Sequence, residues 1–184
     1  MAISRSAEAR VLPGFRTLAA AAWAFSCLAA PAIAASSQDP VLPDAARLMT
    51  AGEIYELYRG KSWRWEDGAG HMKETPRQFS AWTDGENGRS WAEGRWVVTE
   101  TGRMCLDATW HSEKGAFPAR TCFSHRLHKG TIYQRREPDG AWYVFRHARH
   151  REDDEASKLV SEDLVTQQRD SLKVAVEKAQ PPAK

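Results

Sequence analysis

The chain has 184 residues, 26 basic and 24 acidic side chains, a formal net charge of +2 at pH 7 and eight tryptophans. The basic excess sits in the first 34 residues, where Arg5, Arg10 and Arg16 outnumber Glu8, so the other 150 residues balance at zero. A balanced chain lacks the positive excess that a phosphate backbone or an anionic lipid surface requires, which argues against nucleic acid and against electrostatic membrane binding, and the length predicts one domain.

Residues 1–34 read as a secretory signal peptide. A basic opening is followed by the apolar run Thr17-Leu18 to Ala30, a helix-breaking Pro31 and the small-x-small site Ala32-Ile33-Ala34, with cleavage expected between Ala34 and Ala35. Pro31 interrupts a run barely long enough to span a bilayer, so no stable membrane span is expected after processing. The protein is therefore expected in the periplasm or outside the cell. Cys27 offers a lipoprotein alternative, but the bulky Phe25 before it fits an acylation site poorly.

Residues 35–45, with Pro40 and Pro43, read as a flexible leader to a β domain over 46–150. Thr50 and Glu53 form a capping box, Ile54, Leu57 and Tyr58 follow at helical spacing, and Gly60 can stop the element, so a short helix is predicted over 51–59. From Lys61 to Arg146 the pattern is β. Aromatic and β-branched stretches at 62–66, 78–83, 90–98, 102–111, 117–126, 131–136 and 141–146 alternate with turn clusters such as Glu66-Asp67-Gly68 and Pro138-Asp139-Gly140. The fold class expected is mainly β: an antiparallel meander or small calycin-like barrel or half-barrel, with one short N-terminal helix and a C-terminal helix.

Two cysteines remain after signal removal, Cys105 and Cys122. In an oxidising compartment they are expected to form a disulfide, and neither sits in the C-x-x-C spacing of a zinc or redox site. If they face each other across a hairpin turning at 112–115, partners sum to 227. Asp107 then faces Arg120 and Trp110 faces Phe117, both favourable pairs. Alternation puts Leu106, Ala108, Trp110, Phe117, Ala119, Thr121 and Phe123 on one face, and Cys105, Asp107, Thr109, His111, Arg120 and Ser124 on the other.

Residues 151–184 change character. An acidic start and a thin stripe of Val160, Leu164, Leu172 and Val176 predict one or two helices, either covering the sheet or standing free, and a frayed tail. From Thr50 to Phe145 the chain resembles the exported bacterial proteins of the domain of unknown function 995 family. The capping box, Trp63-x-Trp65, Ala92-Glu93-Gly94-Arg95-Trp96, the cysteine stretches and Thr131-Ile132-Tyr133-Gln134-Arg135 carry this resemblance. It implies an exported single domain and no activity, and it leaves the tail after His150 outside.

Candidate ligand-binding residues are aromatic. Counting back from Trp96, alternation turns Trp91, Glu93 and Arg95 outward unless Gly94 hosts a bulge, and an outward Trp91 beside Arg95 suits stacking on a sugar ring. Trp63, Trp65 and Trp82 are further candidates, whereas Trp110 and Trp96 read as core by their face. Asp107 and His111, with Arg120 beside them, form a polar face from which an acid–base pair for a cell-wall-acting enzyme can be drawn. His125/His128 and His147/His150 offer a metal-carrier alternative, although i and i+3 diverge on a strand. Arg135 over Trp142 is expected as a cation–π contact within a hairpin. No catalytic motif, metal-ligand set or cofactor fingerprint appears. The expectation is an envelope-associated, non-catalytic binding module whose partner is a cell-wall glycan, a small apolar molecule or an envelope protein.

Overall fold

Helix α1 (Ala51–Tyr58) begins where the capping box predicts. Thr50 Oγ1 accepts from the Glu53 N–H at 3.2 Å, and Glu53 Oε2 accepts from the Thr50 N–H at 2.9 Å. Arg47 clamps the same carboxylate, and these hydrogen bonds hold it down at about 2. Gly60 leaves the helix at φ +66°, a left-handed turn that suits glycine, and its N–H already reaches Met72 O. The computed structural model describes residues 42–86 and 88–179. The segment read as a signal, the cleavage site expected at Ala34/Ala35, Cys27 and most of the expected leader lie outside the described residues.

Among the described residues ten strands form one antiparallel sheet. They are β1 (Arg47–Leu48), β2 (Lys61–Trp65), β3 (Gly68–Met72), β4 (Gln78–Gly85), β5 (Gly88–Thr99), β6 (Arg103–Ser112), β7 (Gly115–His128), β8 (Thr131–Arg136), β9 (Tyr143–Arg146) and β10 (Leu159–Val160). The order is β10-β2-β3-β4-β5-β6-β7-β8-β9, with β1 pairing separately on β7. It is a meander curled into a half-barrel, as expected from the strand spacing. Among the described residues the two ends of the sheet, β10 and β9, do not pair with each other.

The β6–β7 register is the one the cysteines predict: Cys105 faces Cys122, Asp107 faces Arg120 and Trp110 faces Phe117. The Cys105–Cys122 disulfide is formed, and Arg120 Nε lies 3.3 Å from Asp107 Oδ1. Strand β3 was not anticipated, because Gly68-Ala69-Gly70 carries no strand propensity. Its neighbours impose it: a Cβ at Gly68 would meet Trp82 O at 2.2 Å, and one at Gly70 would meet the Phe79 ring at 2.7 Å.

The concave face carries the main core. Ile54, Leu57 and Tyr58 of α1 pack there on Met72, Trp96, Met104, Ile132 and Phe145, and Tyr55 stacks on Trp96 at 5.4 Å. On the convex face α2 (Thr166–Ala179) lays Leu172 and Val176 on Trp91, with Trp82 alongside. The segment between is not one long helix. A 3₁₀ turn (Glu155–Lys158) is followed by β10, which pairs with β2, so the sheet takes in residues beyond His150. Only Leu172 and Val176 of the predicted stripe serve as a helical contact; Val160 lies in a strand and Leu164 in the connection before α2.

Candidate functional site

Exposure rises along the concave face with distance from α1. On β6, Met104 and the small Ala108 are buried, whereas the large Leu106 and Trp110 are only half-buried. On β7, His125 is fully buried, Phe123 is half-buried, and Ala119 and Phe117 are exposed. Helix α1 covers one end of the half-barrel, and among the described residues no helix covers the other. The uncovered end is a cleft of about 270 Å³ lined by Trp63, Trp65, Leu106, Trp110, Ala119 and Phe123, with Arg136 and Glu155 at its edge. Trp63 and Trp65 come from β2, and Trp110 and Phe123 from β6 and β7 on the far side of the curl. Trp63 contacts Phe123 at 5.1 Å and Phe145 at 5.8 Å, so aromatic rings bridge what no strand pairing joins. Its indole N–H donates to Glu155 Oε1 at 3.1 Å, which leaves the ring faces apolar.

Trp63 also touches Tyr58, and through it a buried polar quartet. Tyr58 Oη and Gln134 Nε2 each stand 2.8 Å from His125 Nε2; Gln134 donates to Tyr58, and the Tyr143 hydroxyl donates to Gln134 Oε1. Burial pushes the His125 imidazole down to about 4. The Gln134 N–H aimed at Nε2 suits the neutral ring, because a protonated Nε2 would set donor against donor. Burial likewise raises the Tyr58 and Tyr143 phenols. Burial holds this quartet neutral, and among the described residues the buried His125 Nδ1 has no hydrogen-bond partner.

The structure divides the predicted ligand residues between two faces. Trp63 and Trp65 meet in the cleft, and Trp65 remains 37% exposed. Trp91 does lie on the convex face, since the β5 ladder runs without a bulge at Gly94, but it is not open. The expectation of an exposed Trp91 fails because α2 covers it to 3% exposure: Lys173 Nζ sits 4.7 Å from its ring and His111 stacks on it at 4.0 Å. Trp82 is tied down beside it, donating to Leu164 O at 3.0 Å. Arg95 stays exposed on that face, opposite Asp107 and far from the cleft residues in register.

The acid–base pair is not assembled. Asp107 is engaged by Arg120 and His111 by Trp91, and four strand residues separate them by roughly 13 Å. The histidine pairs are also separated in role. His125 belongs to the quartet, whereas His147 and His150 converge on Asp154, with Nδ1 atoms 2.5 and 3.4 Å from its carboxylate. Two backbone N–H groups complete the shell around that buried carboxylate. Among the described residues no group of three or more His, Cys, Asp or Glu is placed to hold a metal ion. Arg135 lies over Trp142 at 5.0 Å, as the hairpin pairing predicts.

A larger groove of about 850 Å³ runs on the convex side near the start of α2, lined by His71, Lys73, Glu93, His111, Asp163 and Arg169. Its charged walls would each need desolvation by a ligand, whereas the aromatic cleft gains free energy from burial itself. The cleft is therefore the stronger site. Sequence reasoning assigned Trp110 to the core and passed over Arg136. Alternation places both on the concave face, Arg136 through its pairing with Phe123. Their exposure depends on how far α1 reaches, which alternation does not encode.

Comparison with family models matches residues 25–165 to a family described as "Protein of unknown function (DUF995)". The match spans well over half of the chain, which therefore belongs to this family. It also reaches past His150, correcting the narrower resemblance: the 3₁₀ turn and β10 are part of the family's unit. Comparisons with curated proteins and with solved structures return no match. Among the described residues no helix is long and apolar enough to cross a membrane.

Proposed function

We propose that the protein is an exported, non-catalytic binding module that holds a small apolar molecule in the aromatic cleft of its half-barrel. The observation that carries this reading is the uncovered concave end, where three tryptophans and Phe123 line a space of about 270 Å³. Clefts with apolar walls and a few polar groups at the edge are the usual form of small-molecule sites, and barrel mouths are a common place for them. Export is supported by the signal-like N-terminus together with the disulfide. A glycan stacked on Trp91 would first have to displace α2, which places the apolar ligand ahead of the cell wall.

The test is titration of the uncharged fluorophore N-phenyl-1-naphthylamine into the wild type and Ala119→Trp. Ala119 is exposed and lines the cleft, so a larger side chain fills the space without entering the core. Saturable binding with a Kd of about 1–100 µM is expected, weakened at least about tenfold by Ala119→Trp. Equal binding by both proteins would refute the cleft as the site.

A further inference from the structure

The cleft is not uniformly apolar. Arg136 stands at its edge on the concave face, directly across from Phe123. Among the described residues its guanidinium enters no ion pair and no side-chain hydrogen bond, although two carboxylates are close in sequence or at the same cleft. Both are committed elsewhere. Glu137 takes Arg103 and Ser124, which with the field of Arg135 keep its carboxylate ionised below the usual range. Glu155 takes Lys158 at 2.7 Å and the Trp63 indole N–H at 3.1 Å. The neighbouring Arg135, on the opposite face, is occupied by Trp142.

An unpaired guanidinium beside aromatic walls is complementary to one kind of molecule. The fork of Arg136 presents parallel N–H donors suited to a carboxylate, while Trp63, Trp65 and Trp110 suit a flat or aliphatic body. A cationic ligand would meet the guanidinium as a like charge, and a neutral one would leave it unused. A cleft of about 270 Å³ admits a body of roughly ten to twenty heavy atoms. Resting on the cleft reading above, we infer that the ligand class is a small monoanionic amphiphile, an aromatic or medium-chain carboxylic acid. Its apolar body lies against Trp63, Trp65 and Trp110, and its carboxylate meets Arg136.

The experiment displaces N-phenyl-1-naphthylamine at pH 8 and low salt with a matched pair, 2-naphthoate and 2-naphthalenemethanol. These share the ring system and differ in charge. The acid is expected to bind about fivefold more tightly than the alcohol in the wild type, a modest factor because Arg136 is solvent-exposed. Arg136→Gln should erase that preference, and Arg135→Gln, on the other face, should keep it. Equal displacement by acid and alcohol, or a preference that survives Arg136→Gln, overturns the carboxylate assignment while leaving the cleft intact. Failure of the uncharged probe to bind at all overturns both readings.

Discussion

His125 shows how a single buried side chain can set the acid limit of the fold. Its imidazole titrates at about 4 when folded and near 6.5 when unfolded, so the unfolded chain binds the proton first. The stability from keeping it neutral is fully present above pH 6.5 and is lost as pH falls toward 4, about 3 kcal/mol in all. Urea midpoints measured between pH 7 and 4 should fall accordingly, and His125→Gln should flatten that slope. A second loss belongs between pH 4.5 and 2, where the unfolded chain's Glu53 takes up a proton while the folded carboxylate, held at about 2 by Arg47 and Thr50, keeps its contacts until the lower end of that range. A wild-type midpoint that does not change down to pH 4.5 would contradict the neutral-histidine account. Alternation in the sequence gives the face of His125, but not the quartet it joins, because Tyr58, Gln134 and Tyr143 come from three other elements.

Among the elements, the β6–β7 hairpin was the easiest to read and α2 the hardest. The hairpin carries three mutually consistent cross-strand pairs, so one register forms a disulfide and an ion pair and sets Trp110 across from Phe117. Its disulfide closes a short loop, and the chain-entropy model assigns it about 3 kcal/mol. Reduction, or Cys105→Ala with Cys122→Ala, should lower Tm by about 10 °C while far-UV dichroism remains β-type; an unchanged Tm would contradict a stabilising role. The docking of α2 was hidden because its contact is thin: Leu172, Val176 and the Lys173 ammonium meet tryptophans that alternation alone leaves outside. A chain ending at residue 165 should expose Trp91 and Trp82. Tryptophan emission should shift to the red and acrylamide quenching should rise, while N-phenyl-1-naphthylamine still binds on the concave side. Unchanged emission would mean that α2 does not cover Trp91 in solution.

At the level of the molecule, a meander curls far enough for the ends to approach but not to pair, and one helix fills only half of the hollow. Strand spacing and turn chemistry foretold the half-barrel, because antiparallel neighbours joined by short turns leave few alternatives. The cleft was not foretold. A concave tryptophan reads as core until the length of the covering helix is known, and α1 stops at Tyr58, short of the Trp65–Trp110 end. The surface most suited to binding is therefore the part of the concave face that the described residues leave uncovered.

Strand β10 carries a consequence for how the chain is made. Leu159 and Val160 pair with Trp63 and Ser62, and the Ser62 hydroxyl then ties Glu162 O and the Leu164 N–H to the same place. The free edge of β2, one of the first strands to leave the ribosome, thus waits for a strand that lies far along the chain. Until then a nascent chain presents an unpaired row of backbone donors and acceptors next to two tryptophans, the kind of edge that recruits other chains. A chain truncated after residue 158 should therefore aggregate, whereas one ending at 165 stays soluble: seven residues separate a self-adhesive intermediate from a finished sheet.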